Sequence, residues 1–285
     1  MPQDRRIPGG RAAFLRELAV RLADTPEWTL TESAHYAFTT CVRDDAFVVR
    51  LREHTEAARE LATQFFPHPD GDPVTDDRAL DVVRCAKDEE QYHSYGGPAG
   101  SGGYFSPLAH EVVVHRDAST NDASTWRELQ GLVFYSYARE LHGDAQLPAW
   151  FATGHAEFLR GFEPARREAG HEREFPVAAP NAVVLATWRR LDAEHALPTL
   201  EELLAWTKID WERGRERSTA AWALVWHLRA LERGEPEHPH ARILARWYAE
   251  WLRDGDAARA TAAAFACVDR AQLERELHAR IAALR

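Results

Sequence analysis

Cysteine is scarce and scattered: Cys41, Cys85 and Cys267 are the three in 285 residues, and no Cys-x-x-Cys pair occurs. That spacing suggests neither a disulfide framework nor a cysteine zinc site, and buried reduced thiols are the expectation. No long Lys/Arg stripe is present and the formal net charge is −10, so nucleic acid is not an expected partner. No stretch approaches the roughly 18 apolar residues that a membrane-crossing helix needs. The opening MPQDRRIPGGRAAFLRELAVRLADT has no continuous apolar core. It reads as a polar lead-in followed by an amphipathic helix, and a cytoplasmic location is the expectation. A Gly-x-Ser-x-Gly elbow is missing, and no cysteine stands in a nucleophile's context.

What remains is ordinary for a soluble globular chain, at 45% hydrophobic and 28% charged residues. The patterns predict strands over 35–42, 79–86, 104–106 and 111–115. Helices are predicted over 11–23, 44–66, 88–95, 123–142, 148–162, 182–193, 199–207, 217–233, 239–253, 255–266 and 270–284. PHPDGDP at 67–73 reads as a turn and 163–181 as a long connection. Strands first and helices after imply an α+β fold, with a small, mostly antiparallel N-terminal sheet and an all-helical C-terminal part. The expected division is 1–197 and 198–285, at His195-Ala196-Leu197-Pro198. The glycine-rich 96–103 precedes a strand, so a hairpin lead-in is favoured over a phosphate cradle.

The stretch from Thr125 to Phe162 is the most informative. A zinc peptidase places His-Glu-x-x-His on one helix, so that two histidines share a face and the Glu acts as base. The corresponding window here is Arg127-Glu128-Leu129-Gln130-Gly131, with the Glu kept and both histidines gone. Downstream, Trp150-Phe151-Ala152-Thr153-Gly154-His155-Ala156-Glu157 has Thr153 where Trp-x-x-Glu-Gly-x-Ala-Glu would place a ligand.

With Leu147-Pro148-Ala149-Trp150, the Gly-Gly-Tyr-Phe-Ser-Pro segment at 102–107, the strand 111–115 and the helical region from Ser218, the chain resembles the gluzincin, or peptidase-MA-like, domain family. The resemblance keeps its order over roughly residues 30–283. It implies a zincin-like fold, and Arg127, Gly131 and Thr153 depart from its ligand pattern. Catalysis does not carry over, Glu128 is vestigial, and no cofactor is expected.

The leading expectation is a pseudoenzyme that binds a peptide or protein segment in the former substrate groove. Strand 111–115 would be its edge, with Arg127, Gly131, Thr153, His155, Glu157, Tyr104 and Val113 around it. Arg127 would pair with Glu157 or lie on a solvated face. The alternative is a metal-dependent hydrolase holding zinc on relocated ligands, His142, His155 and Glu157. A third reading gives the C-terminal helices an assembly role, and the sequence sets no oligomeric state. Glu128 with Glu157 as an acid/base pair is weaker than ordinary ion pairing. His238-Pro239-His240 and His171 read as exposed loop histidines, the first with adventitious metal binding as its sharper reading. Nine of the ten tryptophans fall in the helical two-thirds, with Trp222/Trp226 and Trp247/Trp251 at i, i+4. Helix packing explains them by default, and an aromatic ligand groove is the sharper reading.

Overall fold

The computed structural model describes residues 7–68, 77–143, 147–163, 180–206 and 214–284. The chain divides into two compact units, 1–144 and 145–285.

The first unit is α+β. Its strands are β1 (Thr29–Glu32), β2 (Tyr36–Thr40), β3 (Asp81–Ala86), β4 (Gly103–Ser106) and β5 (Glu111–His115). Its helices are α1 (Gly10–Leu22), α2 (Asp45–Phe65), α3 (Glu89–Ser94) and α4 (Ala123–His142). The sheet order is β1-β2-β3-β5-β4. The two central pairings, β2–β3 and β3–β5, are parallel, and the two outer ones are antiparallel. The sheet is therefore mixed, not mostly antiparallel. Helices α2 and α3 provide the crossovers that parallel neighbours require. The central strands are largely buried: every residue of β2 is buried, its two threonines included, as are Val112, Val113 and Val114 of β5.

Strand β5 lies inside the sheet, which corrects the expectation that 111–115 is an edge. Val113 is opposite Arg84 on one side and Tyr104 on the other. The edges are β1 and β4.

Polar contacts fix how β5 leads into α4. Thr125 Oγ1 accepts from the Asp117 N–H at 2.8 Å and donates to the His115 carbonyl at 3.1 Å. Asp122 precedes α4 with φ 65, a left-handed backbone that Asp tolerates better than most residues. Its buried carboxylate accepts from Arg116 at 2.9 Å and Arg50 at 3.0 Å. Asp44 caps α2, accepting from the Phe47 N–H at 3.1 Å. Buried Arg59 then ties α2 to α4 through Glu140 at 2.6 and 3.2 Å. A bidentate guanidinium–carboxylate pair sets orientation as well as distance.

The second unit is helical among its described residues: α5 (Ala149–Arg160), α6 (Ala182–Ala193), α7 (Leu200–Leu204), α8 (Gly214–Gly234), α9 (Ile243–Asp254), α10 (Ala257–Ala264) and α11 (Arg270–Ala282). Helices α5 and α6 both pack on α8, so this unit begins well before the 197/198 division expected from sequence. Gly154 permits the close approach of α5, because a Cβ there would lie 2.6 Å from the Ala221 carbonyl oxygen. Trp150, Trp188, Trp222 and Trp247 are fully buried, and Phe151 stacks on Trp247 at 3.9 Å. These tryptophans are core, as helix packing anticipated; Trp211 lies outside the described residues.

Candidate functional site

In the first unit, α4 carries Arg127, Glu128, Gly131 and His142. Arg127 and Glu128 are half-buried, while Gly131 and His142 are buried. Edge strand β4 meets this helix at its glycine end. A Cβ on Gly102 would lie 2.7 Å from Glu128 Cγ, and one on Gly103 would lie 2.7 Å from Leu132 Cδ1 and 2.6 Å from the Val113 carbonyl oxygen. Glycine is thus what lets the chain lie directly against the Glu128 side chain. The adjacent Tyr104 faces the opposite side of the sheet, packed on Ala86, Tyr92 and Val113. Burial raises the Tyr92 and Tyr104 hydroxyl pKa values, so both stay protonated donors at neutral pH. Tyr92 Oη and Ser101 Oγ are 2.9 Å apart, which anchors the glycine-rich lead-in to β4.

This arrangement does not fit a zinc ion. Catalytic zinc takes three strong protein ligands and an open position. On α4 the two histidine positions are a guanidinium and a residue without a side chain.

In the second unit, α5 carries Thr153, His155 and Glu157. The Thr153 hydroxyl is buried with no hydrogen-bond partner among the described residues. Glu157 pairs with Arg160 one turn later in the same helix. His155 is fully buried and both its ring nitrogens are in use. Nδ1–H donates to the Phe151 carbonyl at 2.8 Å, and Nε2 accepts from Arg229 at 3.1 Å. Burial, then the Arg229 charge, holds its pKa well below the ordinary histidine value. A neutral imidazole with both nitrogens committed presents no lone pair to a metal. His155 is therefore a core residue, and this removes the basis for relocated ligands at His142, His155 and Glu157. His142 is also held neutral, its pKa lowered to about 3 by burial.

Two further expectations change. Cys41 and Cys85 are buried free thiols, but Cys267 is exposed. His240 is buried, not exposed, and bonds Glu276 at 3.0 Å. Among the described residues, His238, His240 and Glu276 form the one group of His, Cys, Asp or Glu whose ligand atoms could share an ion. The His-x-His spacing was visible in sequence; Glu276, 36 residues beyond His240, was not. Buried Arg229 was also missed, because nothing local marks a contact with a residue 74 positions away. His171 and most of 163–181 lie outside the described residues, as does most of the turn at 67–73.

No protein-family model matches this chain, and no curated protein matches it.

Proposed function

We propose that this chain is a non-catalytic, metallopeptidase-like protein that binds an extended peptide segment by strand addition to β4. One observation carries the reading. The chain entering an antiparallel edge strand of the sheet lies, at Gly102, against the helix position that keeps the Glu of a His-Glu-x-x-His window while losing its histidines. The order β4, β5, α4 also supports the zincin-like resemblance, in which an extended substrate runs along an edge strand above the metal helix.

Alternate residues of an antiparallel edge strand direct both N–H and C=O away from their neighbour. In β4 these groups are offered close to the Glu128 side chain on α4, which touches the chain at Gly102. A docked peptide gains main-chain hydrogen bonds from β4 and side-chain selection from the flanking surface. β4 is only four residues long, which suits a short segment and limits self-association.

The test is a peptide-array screen, followed by an N-methyl scan of the best binder. N-methylation should weaken binding at every second peptide residue, the period of strand pairing. A binder insensitive to backbone methylation, or the absence of any sequence-selective peptide, would overturn the reading.

A further inference from the structure

The second unit holds a set of polar side chains that the proposed groove does not use. The connection between α8 and α9 is a series of hydrogen-bonded turns: His238 N–H to Glu235 O at 2.8 Å, Ala241 N–H to His238 O at 3.0 Å and Ile243 N–H to His240 O at 3.2 Å. They bring His238 and His240 to the same carboxylate on α11. His240 Nδ1 lies 3.0 Å and His238 Nε2 3.7 Å from Glu276 Oε2. Ligand atoms at zinc–ligand bonds of about 2.1 Å in a tetrahedron are about 3.4 Å apart, and these separations bracket that value. Gln272 donates to Glu276 Oε1 at 2.8 Å and so fixes which oxygen faces the histidines. Outer partners of this kind orient ligands in metal sites.

A second observation is independent of this cluster. His227 on α8 is 1% exposed, and neither of its ring nitrogens has a hydrogen-bond partner among the described residues. Burying an imidazole with both nitrogens unpaired is costly. His227 lines an open pocket of about 440 Å³ together with His238, Glu276, Ala279 and Arg280. The cation in that lining, Arg280, is paired with Glu235.

We propose that His238, His240 and Glu276 bind one zinc ion, with the fourth position open to this pocket and its water hydrogen-bonded to His227. Zinc takes the place of the proton between His240 Nδ1 and Glu276. One local change is required. His238 Nδ1 accepts from the His240 N–H at 3.2 Å, and this contact opens when Nε2 binds metal and the proton moves to Nδ1. The site lies on α11 and the α8–α9 connection, apart from the elements of the His-Glu-x-x-His window.

The experiment uses the full untagged chain, stripped with chelator and titrated with zinc by calorimetry and with cobalt(II) by visible absorption. One zinc per chain is expected. Glu276→Gln and His240→Ala should each weaken zinc binding by roughly 100-fold, at or beyond the upper end of outer-partner effects. His227→Leu should keep the stoichiometry and change the cobalt spectrum. No stoichiometric zinc in the wild type, or wild-type affinity in folded Glu276→Gln and His240→Ala, overturns the site. An unchanged cobalt spectrum in His227→Leu removes His227 from it. If either ligand variant fails to fold, X-ray absorption at the zinc edge of the loaded wild type decides. Two imidazoles with oxygen support the assignment, and fewer than two imidazoles overturn it.

Discussion

The two units offer a ligand different groups. In the first, the groups of interest are backbone, along a sheet edge. In the second, they are side chains, within helices whose backbones are internally bonded. His155 and His227 make the point inside one unit. Both are buried, yet among the described residues one has both nitrogens engaged and the other has neither. A buried histidine is thus structural or available according to its neighbours, not its burial.

The largest effect should come from Val113→Pro. β5 is paired on both sides, so proline removes a ladder bond from the sheet interior and should cost about 3 kcal/mol or more. Urea unfolding followed by a first-unit probe would read the loss; a small change would mean that this strand is not interior. His155→Ala should cost the second unit about 3 kcal/mol, from the cavity and from the Arg229 N–H left without its acceptor. A loss below about 1 kcal/mol would show that Arg229 finds another partner.

Gly154→Ala should follow at about 2 kcal/mol, because the added methyl meets a backbone carbonyl that cannot move alone. Acid titration comes next. The unfolded chain protonates His142 and His155 near the ordinary histidine pKa of about 6.5, whereas the folded chain resists until far lower pH. Stability is therefore full above that value and falls as pH drops through it, by up to about 1.4 kcal/mol per pH unit for each group. For His142 the fall ends near pH 3. Urea midpoints of wild type and His142→Asn at about pH 7.5 and about pH 5.5 test this; equal acid slopes would count against it. Gly102→Ala should have the smallest stability effect, under about 1 kcal/mol, because the Glu128 side chain can swing aside. It should nevertheless weaken peptide binding at β4, and unaltered affinity would move the groove elsewhere.

Elements were largely legible in the sequence. The periodicity over 123–142 and 182–193 gave helices with the observed bounds; for α2 the sequence offers Asp44 or Asp45 as the cap, and Asp44 is the one that caps it. Strand β1 was not legible: Thr-Leu-Thr-Glu is short and partly exposed, with little apolar alternation to detect. The parallel pairing was equally hidden, because a buried run such as Val112-Val113-Val114 reads the same in either orientation. That ambiguity is why β5 was taken for an edge. The candidate residues on α4 were readable from motif spacing, but the contact of Gly102 with Glu128 was not.

Readable from the sequence alone are the order of the helices and of every strand but β1, the loss of both histidines from the α4 window and the pairing of His238 with His240 on one turn. These are local properties, written in spacings of a few residues. It takes the folded chain to show that β4 and not β5 is an edge of the sheet among the described residues, that His155 is committed to Phe151 and Arg229, and that Glu276 and His227 gather near His238. Each depends on residues distant in sequence being brought together, and burial and pairing are settled only when those surfaces meet.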